Sequence, residues 1–304
     1  MMLNTARAVA GVALVGGCRS SLSSGMSSSG KSCREGFKIG ICDWTLGKAS
    51  DPAALQMAKE LGVDGVQVDF GGVQFDSDKV DDNLMLLYRP EFQKKYLQLA
   101  KLHDIEIASF GMAALSWVPY KSDPRGIKWV EDSIEVCRAM GVKTVLIPFF
   151  GGADLAKDKN GRAVVVERLK HVAPKAEKAG VVLGLESWLS AEEHRDIIER
   201  VGSQAIKVYY DVGNSHKAGH DIYKEIRLIG EHICEFHAKD YNGPFGKGSI
   251  DFKEIRRAMD DIGYRGWIVY ESVLWQPTSE IAPDLEAGFR YNIAYLRDIF
   301  PPKV

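Results

Sequence analysis

Short apolar runs of β-strand type alternate with helix-length amphipathic segments from Phe37 to the end of the chain. Each of the eight runs is followed by a helical pattern, so the chain reads as consecutive β-then-α units. The strand candidates are FKIGIC (37–42), GVQVDF (65–70), IEIASF (105–110), KTVLIPF (143–149), GVVLGLE (180–186), IKVYYD (206–211), HICEFHA (232–238) and GWIVYE (266–271). This count predicts an α/β fold, a single (β/α)8 TIM barrel over residues 37–304.

A doubly wound open sheet is the other fold built from alternating strands and helices, and the sequence disfavours it. No G-x-G-x-x-G pattern follows the first strand candidate, as it does in dinucleotide-binding sheets. Two longer connections, 71–89 and 111–123, follow the second and third strand candidates. In a barrel they are expected over the C-terminal mouth, where substrates bind.

Residues 1–36 differ in composition from the rest of the chain. One early arginine, Arg7, precedes a short apolar core, Ala8–Val15, and then a Ser/Gly-rich tract. This layout is typical of a secretory signal peptide, and VGGC resembles a bacterial lipoprotein cleavage site with Cys18 as the lipidated residue. We therefore expect export to a bacterial periplasm or lipid anchoring at Cys18. The alternative is a disordered tail on a cytoplasmic protein.

The bulk composition argues against several kinds of partner and site. The formal net charge is −2, which gives no electrostatic basis for binding nucleic acid. No run of about 18 apolar residues is present, so no membrane-spanning helix is expected. The five cysteines form no C-x-x-C pair, which argues against a thiolate metal site. The oligomeric state stays open, a homo-oligomer included.

The last four strand candidates each end in a polar residue after an apolar run. These residues are Glu186, Asp211, His237 and Glu271. Neighbouring strands lie about 4.8 Å apart, so the four side chains are expected on a short arc of the barrel mouth. Three carboxylates so close together repel one another unless a cation compensates them. Three carboxylates and one imidazole suit a divalent metal ion: Mn²⁺, Mg²⁺, Co²⁺ or Zn²⁺.

Motifs in the second half of the chain carry a family resemblance. The segments YYDVGNSHKAG, FHAKD, FGKGSIDF and YRGWIVYES resemble patterns of the sugar phosphate isomerase/epimerase superfamily, whose fold is the xylose isomerase-like TIM barrel. The resemblance covers about residues 37–300 and is strongest to ketose and ketose-phosphate 3-epimerases. It implies a sugar substrate, one divalent metal ion and an isomerase activity. It also implies metal ligands at the ends of strands 5 to 8, at Glu186, Asp211, His237 and Glu271.

One position departs from part of that superfamily. Some free-ketose epimerases and the apurinic endonucleases carry a histidine three residues after the strand-6 aspartate, whereas this chain has Asn214, as in the sugar-phosphate type. The chain has seven histidines, and several fall in helical patterns. A histidine-rich trinuclear zinc site, and with it DNA repair, is therefore not expected.

The predicted site suggests how proton transfer is divided among its residues. A metal ion that chelates adjacent carbonyl and hydroxyl oxygens of a ketose stabilises the enediolate formed when the α-proton leaves. Epimerisation needs a base on one face of that carbon and an acid on the other. Glu186 and Glu271 stand at opposite ends of the arc and are the predicted catalytic pair. Asp211 and His237 are predicted to be metal ligands only.

Further residues are candidates for supporting roles. The predicted substrate contacts are Asn214, Lys239, Trp44, Trp117 and Trp188. For Lys239 the alternative is a salt bridge at the rim, and for the tryptophans it is packing that closes the top of the barrel. The FGKGSID segment either holds an anion or only caps the next helix at Asp251. Glu235 is a candidate support for His237 from below.

Two alternatives to a 3-epimerase remain at this point. Related enzymes with similar sites dehydrate or cleave a keto-sugar or inosose, or interconvert aldoses and ketoses. A protein of another class, a carbohydrate-binding barrel without turnover, also fits the fold. The presence of both glutamates and of both other ligands counts against that second reading.

Overall fold

Eight parallel strands close into a barrel in the order of the chain, with the eighth strand pairing with the first. The computed structural model describes residues 36–71, 85–272 and 284–302. Its strands are β1 (Lys38–Cys42), β2 (Gly65–Asp69), β3 (Glu106–Gly111), β4 (Thr144–Phe149), β5 (Val182–Ser187), β6 (Ile206–Asp211), β7 (Ile233–Ala238) and β8 (Trp267–Tyr270). Each strand lies within one of the predicted apolar runs or extends one residue beyond it, so the predicted barrel is confirmed.

Helices follow the strands along the described part of the chain. They are α1 (Ala53–Leu61), α2 (Pro90–His103), α3 (Arg125–Met140), α4 (Lys159–Ala179), α5 (Ala191–Val201), α6 (Val212–Lys217), α7 (Ile222–Ile229), α8 (Phe252–Asp261) and α9 (Leu285–Ile299). Gly180 and Gly202 end α4 and α5 in the left-handed conformation, with φ of 67° and 71°. Ser190 starts α5 with a capping box that it shares with Glu193.

Two apolar clusters hold the barrel together. The larger one fills the space between the strands and the helices that surround them. A smaller one is built from Cys42, Leu146, Tyr209 and Val269, which come from β1, β4, β6 and β8 and fill the barrel interior. Because both faces of a parallel strand are covered in this way, the strands read as continuous apolar runs and not as alternating patterns.

Strand register decides which polar residues share the mouth of the barrel. The β6–β7 pairing has an irregularity between Val208 and Tyr209, after which Tyr209 pairs with Glu235 and Asp211 with His237. In the next pair, His237 is opposite Val269 and Ala238 is opposite Tyr270. Glu271 therefore follows directly above β8, and its backbone N–H donates to the Ala238 carbonyl oxygen at 3.0 Å.

Parts of the sequence-based prediction lie outside the described residues. The signal-peptide-like segment falls in residues 1–35 apart from its last position, so export and lipidation at Cys18 stay predictions. Most of the long connection after β2 (72–84) is also outside the described part, as is the segment 273–283 after β8. Among the described helices, none has the length and apolar character needed to cross a membrane.

A buried histidine, His194, links the end of β5 to α5 through hydrogen bonds. The Leu189 backbone N–H donates to Ser187 Oγ at 3.1 Å, and the Ser187 hydroxyl lies 2.9 Å from His194 Nε2. His194 Nδ1 lies 3.1 Å from the Ser190 carbonyl oxygen, so the neutral ring donates there and accepts from Ser187. Burial lowers the pKa of His194 to about 4, although the Ser190 carbonyl raises it in part. The folded protein therefore keeps this ring neutral.

This burial predicts a specific dependence of stability on pH. The unfolded chain protonates His194 near its ordinary pKa of about 6.5, so stability is complete above pH 6.5 and declines as pH falls toward 4. The loss over that range is about 3 kcal/mol. His194→Gln should flatten the pH dependence of the unfolding free energy by up to that amount, measured by urea unfolding in a chelator between pH 4.5 and 7. His171→Gln, at an exposed position, is the control. Equal slopes for His194→Gln and wild type would contradict the assignment.

Candidate metal centre

Four side chains from the last four strands meet at the C-terminal mouth of the barrel. Glu186 lies in β5, Asp211 ends β6, His237 lies in β7 and Glu271 directly follows β8. One candidate ligand atom from each lies within 4.8 Å of those from the other three. Glu186, Asp211 and His237 are buried, and Glu271 is half-buried. The structure thus brings together the four residues that the sequence predicts as metal ligands.

His237 turns one ring nitrogen toward the three carboxylates. Its Nδ1 lies 3.1 Å from Glu186 Oε1, 3.6 Å from Glu271 Oε2 and 3.9 Å from Asp211 Oδ2. Burial by itself lowers the pKa of His237, but the charges of Glu186 and Glu271 outweigh burial and raise the pKa to about 9. In the metal-free protein at neutral pH the ring is therefore a cation that partly compensates the carboxylates.

Lys239 supplies a second cation to the same cluster. Its Nζ lies 2.7 Å from Glu271 Oε2 and 3.5 Å from Asp211 Oδ2, and its side chain is buried. The Lys239 backbone also packs against Gly213, where a Cβ would lie only 2.7 Å from the Lys239 carbonyl oxygen. Lys239 thus forms a salt bridge with Glu271, which was the alternative to a substrate contact. A contact between Lys239 and substrate stays a prediction.

The carboxylates differ in how well they are compensated. Burial by itself raises the pKa of Glu271, but the nearby charges of Lys239 and His237 outweigh burial and lower the pKa to about 2. Burial raises the pKa of Asp211 to about 8, because Lys239 offsets only part of that effect. Asp211 Oδ1 accepts from the Asn214 backbone N–H at 2.8 Å, whereas Oδ2 has no hydrogen-bond partner among the described residues. The cluster is therefore undercompensated on the side of Asp211 Oδ2.

These observations fit a divalent cation. A buried carboxylate oxygen without a hydrogen-bond partner is costly, and Lys239 Nζ, 3.5 Å from Asp211 Oδ2, lies closer to Glu271. Here Asp211 Oδ2 points into a set of two further carboxylates and an imidazole nitrogen, which are oxygen and nitrogen ligands suited to Mn²⁺, Mg²⁺, Co²⁺ or Zn²⁺. Glu186, Asp211, His237 and Glu271 would hold that ion, and the geometry leaves its identity open.

Two predicted substrate-binding residues contact the glutamates. Asn214 is buried, and its Nδ2 donates to Glu186 Oε1 at 3.2 Å while its Oδ1 accepts from the Tyr241 hydroxyl at 2.6 Å. Trp44 Nε1–H donates to Glu271 Oε1 at 2.9 Å. Both side chains therefore orient a glutamate in this structure, and their contact with substrate stays a prediction.

The other two predicted aromatic contacts are half-buried residues that follow β3 and β5. Trp117 comes after a short helical turn at Ala113–Ser116. Trp188 packs edge-on against Phe150, with ring centroids 5.2 Å apart, and its carbonyl oxygen lies 3.1 Å from His220 Nε2. Their role as sugar contacts stays a prediction.

The glycine-rich segment after β7 is organised by a carboxylate of the chain itself. Asp240 accepts from the backbone N–H groups of Asn242 at 2.9 Å and Ile250 at 3.0 Å. Gly248 packs directly against that carboxylate, where a Cβ would collide with it. Asp251 caps α8 by accepting from the backbone of Lys253 and Glu254. The capping role considered for this segment is confirmed, whereas anion binding by its backbone N–H groups stays a prediction.

Sequence reasoning missed a polar residue that contacts His237 and left the role of Glu235 open. Glu235 lies among the polar side chains of Thr144, Ser109 and Tyr209, and burial raises its pKa to about 7, although the charge of His237 lowers it in part. On the side away from the carboxylates, His237 Nε2 lies 2.6 Å from Oε1 of Gln67 in β2. The sequence signal that could have pointed to this contact is a glutamine within the otherwise apolar run GVQV.

The cluster predicts that the purified protein carries a divalent metal ion that depends on Asp211. Wild-type protein should contain about one ion per chain by elemental analysis, because four ligands converge on one point. Asp211→Asn keeps the shape of the side chain but removes the charge on the oxygen without a partner, and it should lose most of the metal. Asp240→Asn is the matched control, since its carboxylate serves backbone N–H groups instead. Wild-type protein without metal, after exposure to each candidate ion, would contradict this prediction.

Comparisons with known proteins place this chain in a family. The family model described as xylose isomerase-like TIM barrel matches residues 55–299. The putative L-ribulose-5-phosphate 3-epimerase SgbU of Escherichia coli is 25% identical over 258 residues, which is 77% of this chain and 88% of that protein.

Solved structures agree on the fold. A D-psicose 3-epimerase crystallised in the presence of D-fructose has a TM-score of 0.66 at 17% identity, covering 86% of this chain and 99% of its own. The 3-keto-D-glucoside 4-epimerase YcjR of Escherichia coli has a TM-score of 0.68 at 17% identity, covering the same shares. These similar proteins are sugar epimerases, which are isomerases. The family match over most of the barrel shows that this chain belongs to the xylose isomerase-like TIM barrel family.

Proposed function

We propose that this chain is a divalent-metal-dependent sugar epimerase of the 3-epimerase type, acting by proton transfer next to a ketose carbonyl. The observation that carries the proposal is that Glu186 and Glu271 reach one metal-ligand cluster from β5 and β8, with Asp211 and His237 between them. The sugar epimerases among the similar proteins support the same reaction class.

The two glutamates are proposed to hold and release the proton that is exchanged. A divalent cation, when bound, supplies Lewis-acid stabilisation of the negative charge that develops on the substrate oxygens. Glu186 and Glu271 flank the cluster from its two ends, so each can serve one face of the reacting carbon. Because epimerisation is reversible, each residue acts as base in one direction and as acid in the other.

Hydrogen bonds from the rest of the chain prepare the two glutamates differently. Among the described residues, Asn214 and His237 both contact Oε1 of Glu186, which leaves Oε2 as the proposed proton-transfer atom. Glu271 is held at both oxygens, by Trp44 at Oε1 and by Lys239 at Oε2. Lys239 keeps Glu271 ionised, which is the form that accepts a proton from substrate.

A second candidate function keeps the proton abstraction but changes the substrate. The fold neighbour named 3-keto-D-glucoside 4-epimerase favours a keto-glycoside as the alternative to a free ketose. Dehydration or lyase chemistry on a keto-sugar or inosose and aldose–ketose isomerisation remain related alternatives. If residues 1–36 direct export, a free sugar or glycoside is favoured, since phosphosugars are scarce outside the cytoplasm.

Solvent-proton exchange tests the proposal directly. With Mn²⁺ and a panel of ketoses, ketose phosphates and 3-keto-glycosides in D₂O, wild-type protein should introduce deuterium next to the carbonyl of its substrate. Glu186→Gln and Glu271→Gln should each slow exchange by about 10²- to 10⁴-fold, because each loses a proton-transfer group. NMR of the recovered sugar measures both exchange and inversion.

The control for these variants is Glu199→Gln, an exposed glutamate that pairs with Arg195 on the surface of α5. It should exchange deuterium at the wild-type rate. Metal-loaded Glu186→Gln and Glu271→Gln proteins with full turnover would remove both residues from the mechanism. Sugar binding without any deuterium exchange across the panel would favour the non-catalytic carbohydrate-binding barrel.

A further inference from the structure

The nitrogen of His237 that faces away from the carboxylates lies closest to a glutamine of β2, with the Cys42 thiol farther away. Nε2 lies 2.6 Å from Gln67 Oε1, and both side chains are fully buried. An amide oxygen accepts hydrogen bonds and cannot donate them, so this contact requires a proton on Nε2. A metal ion at Nδ1 would replace the proton that faces Glu186 in the metal-free protein and leave the proton on Nε2 in place.

A neighbouring thiol defines which end of the Gln67 amide faces the histidine. Cys42 Sγ donates to the same Oε1 at 3.2 Å, and Cys42 is paired with Gln67 across β1 and β2. Cys42 Sγ also lies 3.6 Å from His237 Nε2, farther than it lies from the Gln67 oxygen. If the amide were rotated by half a turn, its NH₂ group would face the thiol proton. The thiol therefore selects the orientation that presents the oxygen to His237, in which Gln67 Nε2 has no hydrogen-bond partner among the described residues.

Packing prevents the ring from rotating to another arrangement. The Tyr209 ring lies over His237 with centroids 4.5 Å apart, and Trp44 meets it edge-on at 6.2 Å. Gln67 itself lies in the barrel interior just after an irregularity in the β2–β3 register between Val66 and Gln67. The ring thus keeps Nδ1 toward Glu186 and Nε2 toward Gln67.

We propose that Gln67 is a positioning residue of the metal centre, which sets His237 in the Nε2–H tautomer and so makes Nδ1 the metal-binding nitrogen. The proposal rests on the metal dependence contained in the proposed function. Gln67 acts through His237 and has no assigned contact with substrate or metal. Partners of this kind, on the far nitrogen of a metal-binding histidine, typically contribute 10- to 100-fold to metal affinity.

Mn²⁺ affinity, followed by the electron paramagnetic resonance of the free ion, tests the role of the acceptor. Gln67→Met has nearly the same length but no acceptor, and it should bind Mn²⁺ about 10- to 100-fold more weakly than wild type. Gln67→Glu restores an acceptor oxygen at the same place and should recover most of that loss. Gln56→Met, at an exposed position on α1, is the matched control and should bind as wild type does. Wild-type affinity in Gln67→Met would overturn the proposal.

The tautomer gives a readout that a loss of packing alone does not change. In Zn²⁺-loaded protein, long-range ¹H–¹⁵N NMR of His237, assigned by its absence in His237→Gln, should show the proton on Nε2 and the metal shift on Nδ1. The same pattern is expected in Gln67→Glu. A proton on Nδ1 in wild type would overturn the proposal, even if Gln67→Met did not fold. Equal losses of metal affinity in Gln67→Met and Gln67→Glu, with the tautomer unchanged, would also overturn the proposal. That result would mean that Gln67 acts through its packing and not through its acceptor oxygen.

These measurements do not require turnover. The role of Gln67 and the proposed function can therefore be contradicted independently of each other. A protein that binds Zn²⁺ through Nδ1 but exchanges no deuterium with any sugar would retain the role of Gln67 and lose the epimerase assignment. A protein that exchanges deuterium with Zn²⁺ bound through Nε2 would retain the epimerase assignment and lose the role of Gln67.

Discussion

Repulsion among three carboxylates at the mouth of the barrel is the constraint on which the rest of the site depends. Two like charges 4.8 Å apart repel by roughly 3 kcal/mol at the effective dielectric of a protein interior. In the metal-free chain, His237 and Lys239 offset part of this repulsion, and burial leaves Asp211 with a raised pKa of about 8. A dication at the same point would replace that partial compensation and face Asp211 Oδ2. The composition of the site therefore follows from electrostatics.

The barrel supplies the geometry that makes such a concentration of charge feasible. Parallel strands bring their C-terminal ends to one mouth, and the register between β6 and β7 places Asp211 beside His237. Gly213 allows the Lys239 backbone to approach, which holds its ammonium group against Glu271. The apolar cluster inside the barrel closes the site from below. Scaffold packing and charge compensation thus act on the same few residues.

Much of this arrangement was predictable from the sequence, and the exceptions have a physical cause. The strands and the four candidate ligands were predictable because apolar runs and strand-end polar residues are local signals. Gln67 was not, because its partner lies 170 positions away and meets it only across the closed barrel. For the same reason the pattern did not show that Asn214 contacts Glu186, 28 positions earlier in the chain. Side-chain partners across strands depend on register, which local patterns do not encode.

We propose that Glu186, Asp211, His237 and Glu271 together bind one divalent metal ion. A crystal of the wild-type protein grown with Mn²⁺, with data collected for anomalous scattering, measures this directly. We expect one anomalous peak at the barrel mouth, roughly 2 Å from an oxygen of each carboxylate and from a ring nitrogen of His237. A site without such a peak at saturating Mn²⁺, or a peak bound by other residues, would contradict it.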